Sequence, residues 1–416
     1  MRVLVIGAGV IGVTSAWYLA KAGHEVTVID RQETPGTGTS FANGGQISVG
    51  QAEPWANPAA PYKIVKWLGR EDAPLMFRLR CDPKQWSWAL KFLRECLPSR
   101  TQNNTLTCLR LADYSRNKLK ELRAETGITY DDLQKGILTL HSDEREFEMA
   151  CNRVDIFKKN GVDIQIKSKS QVLEIEPALK KSHVDIVGAT FAPDDESGDA
   201  HIFTNKMKVL AEKNGVTFGM GVEALNFRTN QSKVNYLEAN VAGRCENFSA
   251  DAYVVALGSH SPDILSKIGV KIPVYPVKGY SVTIPLENTE LAPTVCITDE
   301  NAKIAISRLG SRLRAAGTAE LAGYDLSIRD ERCEAIISRV KKLFPEVGGF
   351  SKARKWSGLR PAVPSNIPII GKTKYENLYV NTGQGTLGWT LACGSGIGLA
   401  NVISEKPQDI NFPFLN

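Results

Sequence analysis

Apolar positions fall into two rhythms along this chain, period two and period 3.6, and the first thirty residues show both. Arg2-Val3-Leu4-Val5-Ile6 is a run of β-formers leading directly into Gly7-Ala8-Gly9-Val10-Ile11-Gly12. The glycines open a helical pattern that runs to about Ala22, with Gly23 as its cap, and a second β-run, Glu25-Val26-Thr27-Val28-Ile29, delivers Asp30. Further helices are predicted at about 104–126, 143–159 and 203–214, with short β-runs at 137–140 and 186–191. Ala252-Tyr253-Val254-Val255-Ala256-Leu257, ending at Gly258, has the unbroken apolar character of a strand buried on both faces. Runs at 280–284, 303–307 and 313–317 predict an antiparallel sheet separate from the parallel one, and Leu378-Tyr379-Val380 leads into a last helix. The predicted fold is thus α/β plus α+β. A discontinuous Rossmann-like dinucleotide domain is expected from 1–50, 196–262 and 362–416, and an antiparallel-sheet substrate domain from 51–195 and 263–361.

The opening unit has a chemical reading. Gly7 permits a tight turn, Gly9 lets a pyrophosphate approach backbone N–H groups, and Gly12 lets helix and strand pack closely. The helix N-terminus favours phosphate charge. Asp30, eighteen residues after Gly12, can accept hydrogen bonds from both ribose hydroxyls and would repel a 2′-phosphate. FAD or NAD is therefore favoured over NADP, with Gly7, Gly9, Val10, Ile11, Gly12, Asp30 and Arg31 as candidate contacts.

Composition narrows the class. At 416 residues, with 43% hydrophobic and 23% charged residues, the chain suits a globular protein of two or three domains. No apolar run approaching ~18 residues is evident, so a spanning helix is not expected. The motif begins at residue 2, which is expected to leave no room for a targeting leader and places the chain in the cytoplasm. The eight cysteines (81, 96, 108, 151, 245, 296, 333, 393) show neither C-x-x-C nor zinc spacing and read as reduced thiols, and no metal is expected. A net charge of +6 suits an anionic substrate, an anionic membrane or nothing in particular, and does not by itself argue for nucleic acid.

A second G-x-G-x-x-G, Gly383-Gln384-Gly385-Thr386-Leu387-Gly388, again follows a strand and precedes a helix, but only 28 residues follow it. No second strand with an acid can close a βαβ unit there. Its helix N-terminus suits the far end of the first cofactor instead, where reduced flavin carries negative charge. FAD is therefore preferred to NAD.

These residues resemble the glutathione-reductase-type flavoproteins of the D-amino acid oxidase and glycine oxidase superfamily, and within it the branch of bacterial D-amino acid dehydrogenase small subunits. The likeness rests on the opening Val-Ile-Gly-Ala-Gly-Val-Ile-Gly and on Ala42-Asn43-Gly44-Gly45-Gln46-Ile47-Ser48. It continues through Pro276-Val277-Lys278-Gly279-Tyr280-Ser281, Trp356-Ser357-Gly358-Leu359-Arg360-Pro361 and the stretch from Asn381 to Trp389. The resemblance implies noncovalent FAD and oxidation of D-amino acids to 2-oxo acids and ammonia by hydride transfer from Cα to flavin N5. It also implies electrons passed to a respiratory quinone at the inner membrane. Ser40, Asn43, Gly44, Gly45 and Gln46 match the stretch around the flavin pyrophosphate and ring edge; Val222 matches the adenine contact and Gly258 the strand-end glycine beside FAD. Gly383, Gly385, Thr386, Leu387 and Gly388 complete the cofactor set. Arg360 matches the arginine that grips the substrate carboxylate. The oxidases add a tyrosine on a substrate-domain strand, where this chain reads Asn301-Ala302-Lys303-Ile304; Lys303 or Tyr280 is the substitute the resemblance leaves.

A planar guanidinium binds a carboxylate with two parallel hydrogen bonds, which is why Arg360 carries the proposed chemistry; an arginine in a structural ion pair is the alternative. The five histidines (24, 141, 183, 201, 260) read as structural or surface residues, and Trp389 as core or flavin wall. The stretch 62–80 mixes apolar and basic residues, as either an interfacial element or a buried helix with solvated bases would. Two further functions stay open: an oxygen-using oxidase or dehydrogenase of glycine, sarcosine, D-proline or hydroxy-D-proline type, and a noncatalytic flavin-binding regulator.

Overall fold

A computed structural model describes residues 1–67, 73–78 and 80–415. Arg2–Ile6 lies at the centre of a six-stranded sheet ordered Ile369–Lys372, Leu378–Thr382, Ala252–Val255, Arg2–Ile6, Glu25–Asp30, Thr217–Met220. All neighbours are parallel except the Ile369–Lys372 edge. Pleat alternation divides the side chains between two cores. Val3 and Val5 face the helices Val10–Lys21, Pro98–Thr126, Ala200–Lys213 and Gly388–Ile403. Leu4 and Ile6 face an antiparallel three-stranded sheet, Val222–Asn230, Lys233–Val241 and Arg244–Phe248, through Phe227 and Leu237.

The second large sheet runs Arg354–Ala362, Tyr275–Pro285, Arg312–Leu321, Ile304–Leu309, Cys296–Asp299, Ile137–His141, Gly188–Ala192, Gln165–Ser168. It is antiparallel except where Cys296–Asp299 meets Ile137–His141 and where Leu75–Phe77 joins Arg312–Leu321. Val282, Ile284, Ile306 and Leu313 on one face pack against Ile336 and Val340 of the helix Asp330–Leu343. The opposite face closes over the first sheet's glycine turns and makes the cleft described below.

Three expectations need correction. Asn301, Ala302 and Lys303 form a turn, and the strand begins only at Ile304. Residues 54–98 contain two helices that the apolar pattern does not resolve, Ala60–Trp67 and Pro83–Glu95. The second buries Gln85, Trp88 and Phe92 while exposing Trp86, Leu90 and Leu93, so only part of its apolar arc faces the core. Last, Gly385–Ile403 is by length and composition apolar enough to cross a membrane. Most of it is buried within the fold, packed on Val10–Lys21 and Pro98–Thr126 as a core helix.

Candidate active site

A cleft of ≈ 1190 Å³ runs between the two sheets. At one end the three glycines of the first turn do three different things. Gly7 has φ +113°, and a Cβ there would stand 2.6 Å from the Ala256 carbonyl oxygen; on Gly12 it would stand 1.8 Å from that of Gly7. Gly9 has only Ser40 Oγ near that position, at 3.7 Å, so its backbone is open to the cleft at the N-cap of the helix Val10–Lys21. Ser40 Oγ accepts from the Val10 N–H at 3.1 Å. Asp30 accepts from Ala8 N at 2.6 Å and Gln32 N at 2.9 Å, which uses about half of a carboxylate's acceptor sites. Arg31, Val222 and Gly258 line the same end, with Gly258 at φ +54°. An open helix N-terminus beside a carboxylate fits a pyrophosphate and a ribose in chemistry.

The loop Asn43-Gly44-Gly45-Gln46 is pinned between the sheets. Asn43 Oδ1 accepts from Gly45 N at 2.9 Å and its carbonyl from Arg314 Nη1 at 3.2 Å. Ser307 Oγ donates to Gly44 O and Gly198 N to Gly45 O, both at 2.7 Å. Gln46 Nε2 donates to Thr298 Oγ1 at 2.8 Å. Opposite, Gly385 (φ +57°) has no atom within 4 Å of a built Cβ and lines the cleft with Thr386, Leu387 and Gly388. Gly385–Leu387 is a single 3-10 turn ahead of the helix from Gly388. Gly383 is not on the cleft wall; its turn (φ +84°) packs against Val363. Trp389 is largely core: its indole N–H donates to Gly198 O at 3.1 Å, and its ring packs on Tyr130 and Phe203.

Arg360 also lines the cleft. Its Nη1 donates to Thr318 O at 2.9 Å, its guanidinium lies 5.8 Å from the Trp55 ring centroid, and among the described residues it forms no ion pair. Burial pushes its pKa down to about 10, so it stays cationic at neutral pH. A partly buried cation with no anion beside it among the described residues suits an anionic group.

The two residues considered as its assistants border the cleft, but their polar ends turn to protein partners. On the strand Tyr275–Pro285, Gly279 and Ser281 face the cleft side, where a Cβ on Gly279 would meet Arg360 and Ser281 Oγ donates to Ala42 O. Lys278 and Tyr280 therefore face the other way. There the Tyr280 hydroxyl donates to Glu320 Oε2 at 2.6 Å, and burial with that bond pushes its pKa up. Lys303, exposed and at φ +56°, gives its ammonium to Glu300. His201 Nδ1 lies 3.1 Å from Gly36 O, in keeping with a structural role. The residues that sequence pattern did not single out are Trp55, Gly279 and Thr318. Only Gly279 carried a signal, as an isolated glycine inside a β-run, which marks a close approach.

The model of the family of FAD-dependent oxidoreductases matches residues 2–402, and the chain belongs to that family. It is 51% identical to a D-amino acid dehydrogenase of Dechloromonas aromatica (strain RCB) over 416 residues, the whole of both chains. It is 49% identical to a D-amino acid dehydrogenase of Paramagnetospirillum magneticum (strain ATCC 700264 / AMB-1), covering 99% of this chain and 97% of the relative. The crystal structure of glycine oxidase from Geobacillus kaustophilus superimposes with a TM-score of 0.76 at 22% identity, covering 99% of this chain and 96% of that one, a likeness of fold.

Proposed function

We propose that this oxidoreductase converts D-amino acids to 2-oxo acids and ammonia, with FAD in the cleft and a respiratory quinone as electron acceptor. The single observation that carries the substrate class is Arg360, a partly buried guanidinium with no ion-pair partner among the described residues, in the cleft that opens onto Gly9. Gly9, the helix N-terminus at Val10 and Asp30 would hold the adenosine and pyrophosphate, and the loop 43–46 with Gly385–Gly388 the flavin. FAD, when bound, supplies two-electron acceptance. Arg360 holds the substrate carboxylate and so fixes which face of Cα meets the cofactor; the residues bind and orient rather than exchange protons. The names of the full-length relatives support the D-series.

Association with the inner-membrane surface is the second part of the reading. Tyr62 and Val65 (73% and 74% exposed) on one helix, Trp86, Leu90 and Leu93 on another, and Leu97 after it are exposed apolar residues, and each helix also carries exposed bases, Lys66 on the first and Lys91 and Arg94 on the second. An apolar face flanked by bases suits an anionic bilayer. Trp86 and Leu93 also line the cleft, so an apolar acceptor has a path to it from that surface. Leu68, Gly69, Arg70 and Leu79, part of the stretch read as interfacial, lie outside the described residues.

The test is anaerobic mixing of the FAD-loaded protein with D- and L-alanine, followed by a quinone analogue or oxygen. Bleaching of the flavin by the D-enantiomer and fast reoxidation by quinone are expected. Preference for the L-enantiomer overturns the substrate assignment, and rapid stoichiometric peroxide moves the protein to the oxidase reading.

A further inference from the structure

The strand pairing around Arg360 is irregular in one place, and the irregularity lies against the guanidinium. Tyr275–Pro285 pairs with Arg312–Leu321 through Lys278↔Glu320 and then Tyr280↔Gly317. Two residues, Thr318 and Ala319, therefore stand opposite one, Gly279, as in a β-bulge. Thr318 is at φ +58°, a left-handed conformation that a β-branched residue rarely adopts. The side chain gains nothing from it, because Thr318 Oγ1 is buried with no hydrogen-bond partner among the described residues. What the bulge does provide is the Thr318 carbonyl, which accepts from Arg360 Nη1 at 2.9 Å.

Across from the bulge, Gly279 has no side chain, and the guanidinium occupies the space one would fill. A Cβ built on Gly279 stands 2.2 Å from Arg360 Nη1, 2.4 Å from Cζ and 2.5 Å from Nη2. Gly279 is not at a positive φ, so its backbone accepts alanine without strain. The three nearest atoms all belong to the mobile end of Arg360.

We infer that Gly279 and the Thr318–Ala319 bulge form a dedicated seat for the Arg360 guanidinium, which makes Gly279 a positioning residue for the substrate carboxylate. This inference rests on the proposed role of Arg360 as carboxylate anchor. The carbonyl ties one N–H of the fork and the missing Cβ lets the plane lie flat over the strand. The Trp55 ring lies over the same guanidinium. The fork is thereby pre-oriented before the carboxylate arrives, and less ordering entropy is lost on binding.

The experiment compares Gly279→Ala, Arg360→Ala, Arg360→Lys and the two double variants, all FAD-loaded. It reads FAD content, melting temperature, the Kd of D-alanine from the anaerobic flavin spectrum, and the Kd of propionate, a carboxylate without the amine. Gly279→Ala is expected to keep FAD and melting temperature while raising both Kd values by roughly 10- to 100-fold, the loss of one charged hydrogen-bonded contact. The effect should not add to that of Arg360→Ala, and should shrink to within about threefold in the Arg360→Lys background, because a lysine stem has no fork to collide with. Parental Kd values in Gly279→Ala, or losses that add fully to those of Arg360→Ala, overturn the seat. If Gly279→Ala loses stability, its dependence on Arg360 or Arg360→Lys still decides. Parental Kd values in Arg360→Ala overturn the anchor itself, a separate failure.

Discussion

The Arg360 guanidinium lies 5.8 Å from the centroid of the Trp55 ring, so a residue from the loop before the Ala60–Trp67 helix caps a cation delivered by a strand some three hundred positions later. Such a contact is worth about 0.5–1 kcal/mol where water still reaches it. Trp55→Leu is expected to weaken binding of D-alanine about two- to fivefold, with Trp55→Phe in between. Titration of the anaerobic flavin spectrum measures it; equal affinity in all three proteins would remove Trp55 from the site.

Tyr280 lies on the neighbouring strand Tyr275–Pro285, on the face opposite Gly279, where it donates to Glu320 Oε2. Tyr280→Phe should therefore cost about 1–2 kcal/mol of stability, the loss of a hydrogen bond to a buried charge, and leave substrate affinity unchanged. Denaturant midpoints and substrate titration separate the two. A large loss of affinity at parental stability would return Tyr280 to the substrate pocket.

Lys278, fully buried, donates to Asp325 Oδ2 at 2.7 Å and lies 3.4 Å from Glu320. The ammonium holds the Asp325 carboxyl well below its usual range. A depressed carboxylate stabilises the fold above its unfolded pKa of about 4, and that contribution fades as pH falls toward the native value. The stability gap between the parent and Asp325→Asn should be widest near pH 7 and narrow below pH ~4, by urea denaturation at each pH. A gap that widens in acid contradicts the pairing.

Leu90 and Leu97, exposed but not on the cleft wall, test the membrane surface without touching the site. Replacing both with Glu should lower partition onto anionic vesicles by roughly tenfold or more, since each buried leucine is worth about 1.5–3 kcal/mol. Turnover with a water-soluble acceptor should be unchanged. Equal sedimentation of both proteins with vesicles would rule out this face.

Legibility in the sequence followed locality. The Gly7–Asp30 unit was readable because strand, turn, helix and acid are neighbours in sequence and each is dictated by backbone geometry. The cleft face of Gly279 was not, because it depends on a bulge in a partner strand forty residues away. Tyr280 borders the cleft, but strand alternation with Gly279 inward turns its hydroxyl to Glu320, which the motif alone does not show. The helix Pro83–Glu95 is hard to read because its apolar arc is only partly buried, with Trp88 and Phe92 inside and Trp86, Leu90 and Leu93 exposed. The glycines of Gly385–Ile403 let it pack as a core helix: Cβ atoms on Gly394, Gly396 and Gly398 would meet Ser115, Thr14 and Phe414.

The most direct measurement is the anaerobic reduction of FAD-loaded Arg360→Ala by D-alanine. The turn Gly7–Gly12 and Asp30 belong to the first sheet and Arg360 to the second, so flavin content should match the parent. The efficiency of reduction should fall by two to four powers of ten, the loss of a buried charge pair worth about 3–5 kcal/mol. Arg360→Lys should recover only part of it. Reduction of the alanine variant as efficient as that of the parent would show that the carboxylate is held by another residue.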